Sequence, residues 1–163
     1  RYVSVVRTPD SSYDWFLKKQ IEAQSTSDGH CEPLYDLCYL DGAHEWTIDG
    51  LAVLLVEKLL RPGGWIVLDD LTWTYASVGL AGADMKLSEE ERQEPHMKAI
   101  FDLLISQHPS FTELRIDADL DWAWARKAPG EPKRLRIDTR QSLAGAVLMR
   151  MRRIMRARQG SGR

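Results

Sequence analysis

Three carboxylates and one imidazole stand where two apolar runs of the sequence end. Asp41 and His44 follow the first run, and Asp69 and Asp70 follow the second. Clustered carboxylates repel one another unless a cation lies among them, and oxygen ligands suit a hard ion such as Mg²⁺. A histidine beside that ion could take a proton from a hydroxyl group. The alternative is that Asp41 caps a helix, that the Asp pair begins a solvated turn, and that His44 faces solvent.

The elements around these residues predict that the side chains meet. Residues 35–40 and 65–68 read as buried strands. Between them, apolar residues recur at helical spacing over residues 46–60, and the sequence Arg-Pro-Gly-Gly at 61–64 ends that helix. Because strand-helix-strand crossovers are almost always right-handed, the two strands are predicted to be parallel neighbours. The acidic residues that end them would then converge on one edge of the sheet, where ligands of α/β proteins bind.

Further elements extend this alternation of strands and helices. The sequence predicts a strand at 2–6, a helix at 13–24, a capping box of Ser88 and Glu91, a helix opened by Pro95, and a hairpin over 111–126. Residues 71–94 form a long connection, which is either a lid over a substrate or a disordered loop. The predicted fold class is α/β, with parallel strands and a terminal antiparallel hairpin.

A longer stretch of sequence resembles a known family. The run YDLCYLDGAHEWTIDGLAVLLVEKLLRPGGWIVLDDLTW resembles the second half of a class I S-adenosylmethionine-dependent methyltransferase, in particular the metal-dependent O-methyltransferases and the macrocin/mycinamicin sugar O-methyltransferases. The matching features are DGAH after the family's fourth strand, Asp49 in the next helix, the LRPGG turn and the acidic pair after the fifth strand. The resemblance extends over roughly residues 1–127 and implies a Rossmann-like methyltransferase sheet.

The resemblance also implies a cofactor, a metal and roles for individual residues. Asp41, Asp69 and Asp70 would hold a divalent metal, with Mg²⁺ as the expected ion, and His44 matches the base position of the sugar O-methyltransferases. S-adenosylmethionine is the implied cofactor. Its implied contacts are Asp10, Ser11 and Asp41. The family's Gly-rich loop and the acidic residue after its second strand have no counterpart here, so we interpret the chain as an N-terminally truncated, C-terminal portion of such a domain.

The function that these features favour is methyl transfer to a hydroxyl of a small molecule, such as a sugar, a natural product or a phenol. Trp73 and Tyr75, in the long connection, offer flat apolar surfaces to a ring of that acceptor. Two alternatives stay open. One is a non-catalytic remnant or interaction module of the same fold. The other is a metal-dependent phosphotransfer or hydrolase domain that uses the same carboxylates, although the sequence shows no phosphate-binding motif.

The composition predicts the cellular location of the chain. Its 163 residues carry a net charge of −2, with no signal peptide and no apolar run near the roughly 20 residues of a transmembrane segment. Cys31 and Cys38 cannot form a disulfide framework, so we expect a reduced, cytoplasmic location. A zinc site with His30 lacks any recognised ligand spacing.

The last part of the chain differs in charge from the rest. Residues 131–163 have a charge of +8, against −10 for residues 1–130. We therefore divide the chain into the methyltransferase portion, 1–130, and a basic C-terminal helix or tail, 131–163. That tail is predicted either to contact an anionic membrane, nucleic acid or acidic partner, or to be a solvated terminal helix. The sequence leaves a homo-oligomer open.

Overall fold

The structure is a computed structural model that describes residues 12–78 and 87–130. In chain order its elements are α1 (Tyr13–Gln24), β1 (Tyr35–Leu40), α2 (Trp46–Leu59), β2 (Leu60–Leu68), α3 (Glu89–Gln93), α4 (His96–Ile100) with a π-helical turn (Phe101–Ile105), β3 (Phe111–Asp117) and β4 (Trp122–Lys127). The predicted strand at 2–6, the predicted cofactor contacts Asp10 and Ser11, and the basic tail lie outside the described residues. None of the helices in the described ranges is long and apolar enough to cross a membrane.

The four strands form one mixed sheet in the order β1-β2-β4-β3. β1 and β2 are parallel, whereas β4 lies antiparallel to both β2 and β3. The predicted α/β class, with parallel neighbours and a terminal antiparallel hairpin, is therefore confirmed. Asp69 N–H donates to Leu40 C=O at 3.1 Å, so the two parallel strands stay paired up to the edge where the predicted site lies.

The hydrophobic core lies between this sheet and the helices. Its buried members come from α2, α4 and the inner positions of the strands, and include Ala52, Val56, Ile66, Leu68, Met97, Ile100, Ala123 and Ala125. In β4 the buried Ala123 and Ala125 alternate with the half-buried Trp122 and Trp124, as the two-residue period of a strand requires. The small side chains therefore face the helices, and the indole rings face the opposite side of the sheet.

The start of β2 differs from the prediction. The helix was expected to reach residue 60 and the strand to begin at 65, but α2 ends at Leu59 and β2 begins at Leu60. Tyr35 pairs with Leu60 and Leu37 with Trp65, so residues 61–64 bulge out of the pairing. A Cβ at Gly64 would lie 2.9 Å from the Asp36 carbonyl oxygen. The glycine run thus lets a bulged backbone approach β1, in addition to ending the helix.

The helix after Pro95 also differs in detail. We expected one regular amphipathic helix, and its apolar face is buried as predicted, with Met97, Ile100 and Ile105 fully inaccessible. The second half, Phe101–Ile105, is however π-helical. The other expected local features are present, namely α1 with Ser12 as its N-cap and the capping box of Ser88 and Glu91.

Candidate active site

Asp41, His44 and Asp70 come together beyond the ends of the parallel strands. Asp41 follows β1 and Asp70 follows β2. His44 Nε2 lies 3.2 Å from Asp70 Oδ2 and 3.8 Å from Asp41 Oδ1. One nitrogen or oxygen atom from each residue lies within 4.8 Å of the other two, and no other group of three potential metal ligands gathers among the described residues. The parallel crossover therefore brings Asp41, His44 and Asp70, which are three of the four predicted residues, to one edge of the sheet.

The members of this cluster differ in their exposure to water. The side chains of Asp41 and Asp70 are 55% and 47% exposed, whereas that of His44 is 15% exposed. His44 Nε2 is itself buried and has no hydrogen bond of acceptable geometry. The ring of Trp73 packs on the imidazole at a centroid distance of 4.9 Å. The histidine thus places a buried nitrogen that makes no hydrogen bond beside two exposed carboxylates.

Both His44 and Asp70 adopt a left-handed backbone conformation, each with φ of 54°. Histidine and aspartate tolerate this region better than most residues, but it is sparsely populated and persists where the surroundings enforce it. Such conformations cluster at functional sites. Here they turn two side chains from successive connections toward the same point.

A buried carboxylate supports the turn that carries His44. Asp49 is fully buried; its Oδ1 accepts from the Tyr13 hydroxyl at 2.5 Å and its Oδ2 accepts from Glu45 N–H at 2.9 Å. The Tyr13 oxygen accepts in turn from Ala43 N–H at 3.3 Å. Burial, followed by the contact with Asp49, strongly raises the pKa of Tyr13. The phenol therefore stays protonated and continues to donate to Asp49.

Gly42 is required by this buried carboxylate. A Cβ at position 42 would lie 1.9 Å from Asp49 Oδ1 and 2.8 Å from the Tyr13 hydroxyl oxygen. Only a residue without a side chain allows the backbone to pass this close. The glycine of the DGAH sequence and the aspartate one turn into α2 therefore form one structural unit.

Side chains accept hydrogen bonds from the first N–H groups of α2, which have no partner within the helix. Glu45 is its N-cap, and Glu45 Oε2 accepts from the N–H groups of Thr47 and Ile48 at 2.9 Å each. Burial would raise the pKa of Glu45, but a hydrogen bond from the Thr47 hydroxyl, followed by those from the two N–H groups, lowers it below its usual value. The first amide of the helix, Trp46 N–H, donates to His96 Nδ1 at 3.1 Å. The carboxylate that follows His44 is thus engaged as a cap.

Asp69, the third predicted metal ligand, lies apart from the cluster. Its Oδ2 accepts from the Tyr39 hydroxyl, and its Oδ1 accepts from the Trp122 indole at 2.7 Å and from Asp70 N–H at 2.8 Å. The hydrogen bond with Asp69, more than burial, raises the pKa of Tyr39 to about 12. The structure therefore brings together two of the three predicted carboxylates, and metal binding by Asp69 stays a prediction.

The two predicted substrate residues differ in accessibility. Trp73 is half-buried, with its ring between His44 and Tyr75. Tyr75 is 3% exposed, and its hydroxyl donates to Ala43 C=O at 3.1 Å. Trp73 thus offers ring surface beside the cluster, while substrate contact by Tyr75 stays a prediction, because in this structure its ring is covered.

Sequence reasoning missed the residues that hold the turn around His44. The sequence could have indicated the role of Asp49, since a carboxylate on the apolar face of a helix needs buried hydrogen-bond donors. Tyr13 and His96 had none, because they lie on other elements.

A cavity of about 270 Å³ adjoins the cluster on the side of α1. Its lining includes Phe16, Leu17, Cys38, Asp41 and Gly42. Burial raises the pKa of Cys38 to about 11, so this thiol remains protonated. The cavity therefore has an apolar wall and a carboxylate at its rim.

No family model matches the sequence, and no curated protein matches it. Several solved structures are similar to it, and they include O-methyltransferases. The O-methyltransferase from Bacillus cereus in complex with SAH is 18% identical, over 69% of this chain and 46% of that one, with a TM-score of 0.41. TomG from Streptomyces achromogenes, involved in tomaymycin synthesis and in complex with SAM, is 15% identical, over 69% and 47%, with a TM-score of 0.38.

The MycE methyltransferase of the mycinamycin pathway, in complex with Mg, SAH and mycinamycin VI, is 16% identical. That similarity covers 88% of this chain and 37% of MycE, with a TM-score of 0.46. The chain thus spans less than half the length of each of these three structures.

Proposed function

We propose that the chain is the acceptor side of an O-methyltransferase, which transfers a methyl group from S-adenosylmethionine to a hydroxyl of a small molecule with the help of a divalent cation. The observation that carries the proposal is the cluster of Asp41, His44 and Asp70 at the carboxyl ends of two parallel strands. The identity of the donor rests on the DGAH, LRPGG and Asp-Asp sequences around that cluster.

The residues of the cluster fit a divalent cation. Asp41 and Asp70 supply two exposed carboxylates, and ligand atoms that all lie within 4.8 Å of one another suit one ion. Asp69 would have to turn toward the cluster to add a third carboxylate, and its hydrogen bonds to Tyr39 and Trp122 oppose that movement. When bound, such a cation supplies a positive charge that lowers the pKa of a hydroxyl beside it.

His44 is the proposed proton acceptor. Its Nε2 is buried, faces Asp41 and Asp70, and carries no competing hydrogen bond. His44 Nε2 would take the proton of the acceptor hydroxyl, and S-adenosylmethionine would supply the methyl group to that oxygen and keep the electron pair of its broken carbon–sulfur bond. Holding the oxygen in line with methyl and sulfur gives the largest gain, since aligned reactants reach effective molarities of ~10⁵–10⁸ M.

Two surfaces beside the cluster suit the reactants. The exposed part of Trp73 would stack on a sugar or aromatic ring of the acceptor. The cavity between α1 and β1, at about 270 Å³, is near the lower end of small-molecule sites and has Asp41 at its rim. We assign S-adenosylmethionine, the methyl donor, to this cavity. The hydroxyl acceptor would then bind on the side of Trp73.

The test combines metal removal with one substitution in the full-length protein. Asp70→Asn is expected to lower the methyl transfer rate by about 100-fold, because the amide lacks the charge that binds a cation, and EDTA is expected to do the same. Asp36→Asn is the matched control, because Asp36 lies on β1 and pairs with Arg61 away from the cluster. The measurement is transfer of a radioactive methyl group to a panel of sugars and phenols.

The outcomes separate this function from its alternatives. A rate that neither EDTA nor Asp70→Asn changes would exclude the metal. Calorimetry that detects no binding of S-adenosylmethionine to the full-length protein would favour the non-catalytic remnant. Turnover of phosphate esters without such binding would favour the hydrolase.

A further inference from the structure

His96 occupies a buried junction between three elements. It is 4% exposed and begins α4. Its Nδ1 accepts from Trp46 N–H at 3.1 Å, and its Nε2 lies 2.7 Å from the Glu91 carbonyl oxygen. Since an amide only donates and a carbonyl only accepts, these partners require a neutral ring with its proton on Nε2. His96 thereby links the start of α2 to the end of α3.

Tyr75 acts on the same turn from beside His96. The two rings meet edge to face at a centroid distance of 5.7 Å. While His96 binds the amide of Trp46, the Tyr75 hydroxyl binds the carbonyl of Ala43 at 3.1 Å. The backbone on both sides of His44 is therefore held by two neighbouring rings that follow Asp70 in the chain.

With the hydrogen bonds of His96 and Tyr75, four hydrogen bonds hold the backbone around the left-handed residue His44. The backbone groups flanking His44 bind Tyr13, Asp49, Tyr75 and His96. A left-handed conformation costs on the order of 1–3 kcal/mol and persists only when its surroundings determine it. Each bond lost would allow the turn to relax and the His44 imidazole to move from its position 3.2 Å from Asp70.

We propose that His96 is a positioning residue for His44. It acts through the Trp46 amide and, together with Tyr75, fixes the turn so that His44 Nε2 faces the two carboxylates. Trp73 packs against both His44 and Tyr75, so an acceptor ring on Trp73 would contact the same assembly. The effect on catalysis rests on the proposed function of His44, whereas the effect on the position of the imidazole does not.

The primary test observes the imidazole directly. The chain has four histidines, so ring ¹H–¹³C NMR signals of the full chain are assigned with single His→Gln variants. His96→Leu is expected to shift the His44 signal more than those of His30 and His108. His96→Asn, whose amide oxygen can replace Nδ1 as acceptor, is expected to return the His44 signal close to its wild-type position.

A second variant covers the case in which His96→Leu does not fold. Tyr75→Phe removes only the bond to Ala43 and retains the ring, and it should also shift the His44 signal. Unshifted His44 signals in the folded variants would overturn the proposal, as would an Asn variant that shifts His44 as much as Leu does.

The activity readout then distinguishes this proposal from the proposed function. In the full-length protein, His96→Leu should lower kcat by about 10–100-fold with little change in the KM for S-adenosylmethionine, because a misplaced imidazole impairs the chemical step more than donor binding. Shifted His44 signals in a protein that transfers no methyl group would refute the proposed function and leave the positioning role intact. Shifted signals with unchanged kcat would refute the role of His96 in the reaction.

Discussion

Replacing Gly42 by alanine in the full chain is expected to lower the free energy of unfolding by about 3 kcal/mol. The new methyl group would stand 1.9 Å from Asp49 Oδ1, so either the turn or the buried carboxylate must move. Asp49 cannot move freely, because it accepts from Tyr13 and from Glu45 N–H. Urea unfolding of the variant and the wild type at neutral pH measures the difference.

A double-mutant cycle isolates the cause of this loss. Asp49→Ala alone should cost about 2–4 kcal/mol, because it leaves buried donors unpaired. In that background Gly42→Ala should cost about 1 kcal/mol, since the carboxylate is gone and the Tyr13 hydroxyl, 2.8 Å from the new methyl group, no longer binds Asp49 and can shift. The coupling energy is then near 2 kcal/mol. Additive effects would refute the steric link between the two residues.

Gly50 provides a matched control within the same helix. A Cβ there would lie 3.2 Å from Leu104 Cδ1, which is the end of a flexible side chain and can shift. The gain in helix propensity, about 1 kcal/mol, offsets that contact. Gly50→Ala should therefore change stability by less than about 1 kcal/mol, and a loss as large as that of Gly42→Ala would point to a general intolerance of α2 to alanine.

The sequence was sufficient to bring Asp41 near Asp70, because both depend on simple patterns. Apolar periodicity located β1, α2 and β2. The helical crossover between the two strands then predicted that they are parallel neighbours. The sequence pattern could not show which of the two carboxylates, Asp69 or Asp70, faces His44. Adjacent residues at a strand end point to opposite sides, and a φ of 54° at Asp70, enforced by the fold, turns that side chain toward His44.

The supports of His44 show where sequence reasoning stops. Tyr13 and His96 reach the turn from α1 and α4, and no local spacing reports such distant contacts. The same limit applies to the start of β2. The sequence Pro-Gly-Gly correctly ended α2, but the pairing of Leu60 with Tyr35 is a long-range contact that local turn chemistry does not encode.

Replacing Lys127 by methionine is expected to destabilise the chain by about 3–5 kcal/mol at pH 7, because it leaves a buried carboxylate without its main partner. Lys127 and Glu57 are 5% and 4% exposed. Lys127 Nζ lies 2.7 Å from Glu57 Oε1 and also donates to the Glu57 carbonyl, so that it ties the last turn of α2 to the end of β4. Lys18→Met, in the exposed pair of Lys18 with Glu22, is the control and should change the free energy of unfolding far less, because water screens that pair.

The pH dependence provides an independent measure of this buried pair. Burial alone would raise the pKa of Glu57, but hydrogen bonds from Lys127 and Lys58 and their charges lower it to about 2, from 4.5. A carboxyl whose folded pKa is lowered contributes its full stabilisation above the unfolded value and loses it as the pH falls toward the folded value. Wild type and Lys127→Met should therefore differ most above pH 4.5 and converge as the pH approaches 2, because a protonated Glu57 no longer needs a cationic partner. Urea unfolding at intervals from pH 7 to pH 2.5 tests this, and a difference that stays constant would show that Lys127 stabilises the fold by packing alone.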